Sequence, residues 1–246
     1  MDKNSTSSWM HPATQRRLIK DVVDLVKNPL ANHGIYYVHD EEDVLQGYAL
    51  IFGPEDTVYE HGAYFFRFQF PCDYPFKPPK VTFMTKDQRT RTRFNPNLYS
   101  NGKVCLSLLN TWKGEQWTSC QTIRSVLLTL VTLFGKDPLL NEPGIKRTHK
   151  DVDPYTCVIR FKNYQVAICD VLSQHSVPAE FVGFMPVIRR YFTENQTKIL
   201  SGIEEGVKSK HNKTLVEVCI YNMHASINYC NVRDCFRKEI ENKIDT

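Results

Sequence analysis

Apolar residues first fall at helical spacing at Leu18, Val22, Leu25 and Val26, behind Thr14, which can cap a helix running to about Asn28. Pro29 and Gly34 end that helix. The period then shortens to two. Ile35–His39 and residues 48–52, 64–70 and 80–84 read as four strands. The third is the clearest: Tyr64, Phe66, Phe68 and Phe70 share one face, with Arg67 and Gln69 on the other. Pro78-Pro79 ahead of the fourth suits an edge strand or a strand start. The acidic run 40–43 is a solvated turn. Strands this closely spaced predict an antiparallel meander whose aromatic face needs a helix to cover it.

That helix is supplied by Ile123, Val126, Leu127, Leu130, Leu133 and Phe134, a stripe wide enough to lie on a sheet. Thr118-x-x-Gln121 is its expected capping box, and Gly135 and Asp137-Pro138 stop it. Beyond Gly144 the pattern stays helical. Phe161, Tyr164, Ile168, Val171 and Leu172 form one stripe; Phe181, Phe184, Met185, Ile188, Tyr191 and Phe192 form another after Pro178. Residues 201–214 are polar and contain glycine, so they read as a mobile connector. Residues 216–241 read as one more helix with a thin seam of Met223, Ile227 and Cys230, although Val216, Val218 and Ile220 also alternate. The expected class is α+β: a four-stranded antiparallel meander with an N-terminal helix and a central helix, followed by a helical C-terminal extension. Residues 1–12 are expected to be disordered, 13–172 to form the core domain, and 173–246 the extension.

Composition narrows the function classes. A hydrophobic share of 41% supports a full core, and 246 residues suit one domain of about 150 residues plus an extension. A net charge of +4, from 31 basic and 27 acidic residues, is too balanced to imply nucleic acid as a partner. None of the eight cysteines forms a Cys-x-x-Cys pair, and no histidine spacing completes a zinc site, so no metal is expected. The polar start Met-Asp-Lys-Asn-Ser carries no secretory signal, and no run reaches the length of a membrane span. Free thiols then imply a reducing compartment.

One stretch gathers candidate chemistry. Asn95-Pro96-Asn97 places a rigid turn and two side-chain amides ahead of Cys105, and Asn101-Gly102 marks a second turn. Val104, Leu106, Leu108 and Leu109 make the surroundings of the thiol apolar. A lone cysteine among leucines is ordinarily a small core residue. Here the context speaks against that: Tyr74-Pro75-Phe76-Lys77-Pro78-Pro79 lies upstream, and Trp112, Trp117, Asp137-Pro138 and Glu142-Pro143 lie downstream.

This order resembles the ubiquitin-conjugating enzyme family, whose hallmark is His-Pro-Asn with the catalytic cysteine eight residues after its Asn. Asn97 and Cys105 keep that spacing, and Asn95 stands in place of the His. Arg93 to Asn97, Asn141 to Gly144 and Val166 to Asp170 resemble one branch in particular, the large conjugating enzymes with a C-terminal extension. Asn in place of His is normal for that branch. The resemblance implies the ubiquitin-conjugating fold and a carrier that takes ubiquitin as a thioester on Cys105 and passes it to substrate lysines. Asn97 would donate to the oxyanion or brace the loop. Asn95 would support the loop, and Glu142 would gate and help deprotonate the incoming lysine. Arg16, Arg17 and Lys20 would meet the activating enzyme. Phe76 would face ligases with Ser119 and Cys120, which stand where the family has a Pro-Ala pair. The implied partners are ubiquitin or another ubiquitin-like modifier, an activating enzyme (for this branch the alternative one), ligases and protein substrates. No cofactor, nucleic acid or membrane is implied. A monomer is expected, in the cytoplasm and also the nucleus. Two other readings compete: a catalytically inactive binding module of the same fold, and a cysteine hydrolase pairing Cys105 with one of the eight histidines.

Overall fold

The computed structural model describes residues 11–241. Helix α1 spans Pro12–Lys27. Its cap is His11, whose Nδ1 accepts from the Ala13 amide, with Pro12 in the first turn, where a missing amide hydrogen costs nothing. Thr14 is therefore not the cap. It is buried, and its hydroxyl makes hydrogen bonds of 2.8 and 2.6 Å to the carbonyls of Cys72 and Tyr74. The expected disorder of residues 1–12 lies outside the described residues, apart from these two at its end. Val26, expected in the core stripe, is 75% exposed.

Strands β1 (Ile35–His39), β2 (Gln46–Phe52), β3 (Ala63–Gln69) and β4 (Lys80–Phe83) form the expected antiparallel meander in the order β1-β2-β3-β4. The register pairs Ala49 with Phe66, Ile51 with Tyr64 and Phe68 with Val81 on one face. Helix α2 (Ile123–Val131) covers that face with Ile123, Val126, Leu127 and Leu130. Phe134, just past its end, stacks on Tyr64 at 4.7 Å. The capping box is Thr122 with Ser125, and not Thr118 with Gln121. Residues 118–121 instead close a backbone turn, from the Gln121 amide to the Thr118 carbonyl.

The opposite face of the sheet is also covered. Phe65, Leu50 and Tyr48 point that way, and Phe181 packs on Tyr48 at 5.5 Å and on Phe65 at 4.9 Å. The stripe from Phe181 to Phe192 thus lies on the sheet through a short turn (Ala179–Phe184) and α4 (Met185–Glu194), with Tyr191 stacked on Phe52 at 3.8 Å.

Helix α3 (Val152–Lys162) continues into wider π-type turns over Asn163–Asp170. Helix α5 (Gln196–Lys208) runs through most of the segment expected to be a mobile connector, burying Ile199 and Ile203. Its glycines are close-approach positions: a Cβ on Gly202 would collide with the Tyr164 hydroxyl. The expected single helix over 216–241 is a hairpin followed by a helix: β5 (Thr214–Val218), β6 (Met223–Ile227) and α6 (Tyr229–Glu241). The alternation won because it is complete on one side. Val216, Val218, Met223, Ala225 and Ile227 are buried, while Leu215, Glu217, His224 and Ser226 face outward. Hairpin and α6 pack into the same hydrophobic cluster as the sheet.

Candidate active site

Past β4 the chain turns back on itself twice. Phe83 donates to the Gly102 carbonyl at 2.9 Å, drawing the second turn onto the end of β4. Gly102 has φ +93, and a Cβ there would lie 2.9 Å from the Phe83 carbonyl oxygen, so the position needs glycine. Leu98 pairs back with Val104. These contacts bring Asn97 beside Cys105, whose amide donates to the Asn97 carbonyl at 2.9 Å. The Asn97 side-chain Nδ2 donates in return to the Cys105 carbonyl at 2.8 Å. The spacing read in the sequence is closed by two hydrogen bonds.

Asn95 is 0% exposed. Its Nδ2 donates to Tyr59 Oη at 3.1 Å and to the Leu133 carbonyl at 2.8 Å. Its Oδ1 accepts from the Asn97 amide at 2.9 Å and from Asn141 Nδ2 at 3.4 Å. All four hydrogen-bonding positions of the amide are used, whereas an imidazole offers only two. An asparagine there ties the first turn to the end of α2, to Tyr59 and to the residue before Glu142. Tyr59 is itself anchored, donating to the Phe94 carbonyl at 2.6 Å.

Glu142 follows the short turn Pro138–Asn141. Its Oε2 accepts from Tyr221 Oη at 2.5 Å and lies 3.9 Å from Arg93 Nη2. The Arg93 guanidinium sits over two rings, 3.8 Å from the centroid of Tyr99 and 4.3 Å from that of Tyr221, and also donates to the Pro96 carbonyl. Sequence reading missed Tyr59, Arg93 and Tyr221 here. Tyr221 lies 79 residues from Glu142, so no local pattern could have joined them.

The remaining expected site residues divide. Arg16 and Lys20 are exposed on α1. Arg17 is engaged within the chain: it pairs with Asp21 at 2.8 Å and donates to the carbonyls of Ser119 at 2.8 Å and Gln121 at 2.5 Å. Its structural task is to clamp α1 to the segment before α2. Phe76 is 68% exposed, and Ser119 and Cys120 are exposed. Trp117 ties the two loops by donating to the Pro75 carbonyl at 2.6 Å. In the basic loop 86–93, Arg89 grips Asp170 with both terminal nitrogens, at 2.5 and 2.8 Å.

The thiols are not equivalent. Cys105 is buried at 1% exposure. Cys235 on α6 is half-buried, and the neighbouring Cys169 thiol brings it down to about 7 against the opposing effect of burial. Acidity alone would nominate Cys235. It lacks the paired amide loop that holds Cys105. Among the described residues no helix is long and apolar enough to cross a membrane.

An α1-sheet-α2 body with a cysteine following a double turn defines a class, and sequence comparison agrees. The family model described as Ubiquitin-conjugating enzyme matches residues 17–154, more than half of the chain, and the chain belongs to that family. Among curated relatives, "Ubiquitin-conjugating enzyme E2 Z" of Homo sapiens is 40% identical over 177 residues, covering 70% of this chain and 49% of that protein. Its Xenopus tropicalis counterpart is 42% identical over 177 residues, covering 70% of this chain and 56% of that protein. "Dual E2 ubiquitin-conjugating enzyme/E3 ubiquitin-protein ligase BIRC6" of Homo sapiens is 35% identical over 210 residues, 79% of this chain and 4% of that protein. The chain thus spans about half the length of the E2 Z relatives that it matches.

Proposed function

We propose that the chain is an active ubiquitin carrier with Cys105 as its thioester nucleophile. The observation that carries this reading is the reciprocal pair of hydrogen bonds between Asn97 and Cys105, at 2.8 and 2.9 Å, at the spacing of the family's cysteine loop. In the first step the Cys105 thiolate takes the C-terminal acyl group from the thioester on an activating enzyme. Thioester exchange is close to balanced, so it needs positioning and no metal. In the second, a lysine amine attacks that thioester and the Cys105 thiolate leaves. Asn95 and Asn97 hold the loop through both steps, and Glu142 orients the amine and accepts a proton. No adjacent histidine is required; one would favour hydrolysis of the charged carrier. Because the thiol is buried in the free chain, charging includes its uncovering by the partner.

The alternative activating enzyme is the proposed donor, with Arg16 and Lys20 as the exposed cations that meet it and Arg17 holding their helix in place. Phe76, Ser119 and Cys120 form the ligase-facing surface, on two loops tied by Trp117. The carrier works as a monomer in the cytoplasm and nucleus, where eight free cysteines stay reduced. The test is incubation with activating enzyme, ATP and ubiquitin, followed by a non-reducing gel. An adduct removed by dithiothreitol supports the carrier. Absence of an adduct with either activating enzyme supports a binding module, and release of free ubiquitin from a preformed ester supports a hydrolase.

A further inference from the structure

The extension reaches Glu142 and, through Arg93, the turn at Pro96. The link between β5 and β6 contains the short turn Cys219–Tyr221, closed by Asn222 in the left-handed region at φ 48. It is pinned from several sides. The Ile220 amide donates to Oδ2 of buried Asp151 at 2.9 Å. The Tyr221 ring packs edge-on against Tyr155 at 5.6 Å, and Tyr155 Oη donates to the Arg93 carbonyl at 2.6 Å. The Arg93 amide reaches Met223 Sδ at 3.3 Å, and the Arg93 guanidinium lies over the Tyr221 ring. A tip held this firmly can hold something else. What its hydroxyl holds is Oε2 of Glu142.

We infer that Tyr221 is a positioning residue for aminolysis, acting through Glu142. This rests on the carrier reading. Both the Tyr221 hydroxyl and Arg93 address Oε2, which leaves Oε1 to meet an incoming lysine. In the reaction the lysine nitrogen forms the new C–N bond, the C–S bond to Cys105 breaks, and the thiolate departs. The ammonium proton passes by way of Glu142 to solvent. A freely rotating carboxylate would present that oxygen only part of the time, and a misplacement of about 1 Å can reduce a rate a hundredfold. The fold thus assigns the extension a part in the second step, through one hydroxyl on a rigid hairpin tip.

The experiment uses the full chain charged with ubiquitin by activating enzyme and ATP, with charging then stopped by removing ATP so that discharge alone is followed. Discharge onto free lysine is followed from pH 7 to 9.5 for wild type, Tyr221→Phe, Glu142→Gln and the double variant. Tyr221→Phe keeps the ring against Arg93 and Tyr155, so melting and loading should match wild type. Discharge at pH 7 should slow about three- to tenfold, and the defect should shrink as pH rises towards the ordinary lysine value of about 10.4, where the amine needs less help. Tyr221→Phe should add nothing in the Glu142→Gln background, because one acts through the other. A Tyr221→Phe variant that loads and discharges like wild type at every pH, or whose defect multiplies with that of Glu142→Gln, overturns the inference and leaves the carrier reading standing. Failure of wild type to accept the acyl group on Cys105 overturns both.

Discussion

The Asn97 side chain donates to the carbonyl of Cys105 at 2.8 Å, while the Cys105 amide donates to the carbonyl of Asn97 at 2.9 Å. In the free chain that amide is a brace and is not aimed at an oxyanion. Asn97→Ala strips the partner from a carbonyl in a buried loop, an effect worth about 1–3 kcal/mol. The expected outcome has two parts. The melting temperature falls, by about 2–4 °C per kcal/mol for a chain of this size. Discharge onto lysine slows about tenfold or more, while the thioester still forms. An unchanged melting temperature with slow discharge would show that the amide leaves its brace to serve the oxyanion.

The hairpin and α6 belong to the core. Val218, Ile227, Tyr229, Val232 and Phe236 are at most 3% exposed. Burial of one such side chain is worth about 1.5–3 kcal/mol, and a whole domain is stable by about 5–15 kcal/mol. A chain ending at Ser201 should therefore aggregate or lose cooperative melting, contrary to what the thin seam alone suggests. Phe236→Ala should cost about 3–5 kcal/mol in a denaturant titration. Cooperative melting of the shortened chain within a few degrees of wild type would show that this segment is not needed for folding.

Lys162 and Asp87 form an ion pair at 2.7 Å with side chains 4% and 0% exposed. Burial alone would raise the Asp87 carboxyl, but hydrogen bonds from Lys162, Thr90 and Thr92 outweigh it and hold the group below its ordinary 3.8. A depressed carboxyl contributes stability that is present above about pH 4 and lost as pH falls through its folded value. Asp87→Asn leaves a buried ammonium unpaired and should cost about 3–5 kcal/mol at neutral pH. Urea titrations between pH 3 and 7 should show the gap between the two proteins narrowing on the acid side.

Cys235 should be alkylated by iodoacetamide with a half-point near pH 7, set by the neighbouring Cys169 thiol. Cys169→Ala should move that half-point up towards the ordinary 9.0. Cys105, buried in the free chain, should be modified more slowly than exposed Cys120 and Cys219. Peptide mapping of the alkylated protein reads all four sites, and a Cys105 that reacts first would contradict the need for uncovering.

The four-stranded meander could be read from period two, and the cysteine loop from its turns and amides, because both are local. Three features were not legible. Arg67 and Gln69 carry no sign of a cover for the far face of the sheet, yet Phe181, 116 positions along from Phe65, packs on it. The glycines of α5 look like connector residues until Tyr164 and Tyr229 are seen lying against them. Arg17 looks like one more solvated cation, yet two backbone carbonyls over 100 positions away accept its donors. In each case the deciding partner is distant in sequence, where propensity and spacing carry no signal.

The nucleophile itself is open to one decisive measurement. Wild type, Cys105→Ser, Cys105→Ala and Cys235→Ala are each incubated with ubiquitin, ATP and each activating enzyme in turn, and the adducts are resolved with and without dithiothreitol. If Cys105 carries the acyl group, wild type and Cys235→Ala give an adduct that the reductant removes. Cys105→Ser then gives an oxygen ester that survives it, and Cys105→Ala gives none. A reductant-sensitive adduct that persists in Cys105→Ala, or that disappears in a folded Cys235→Ala protein, would contradict the assignment.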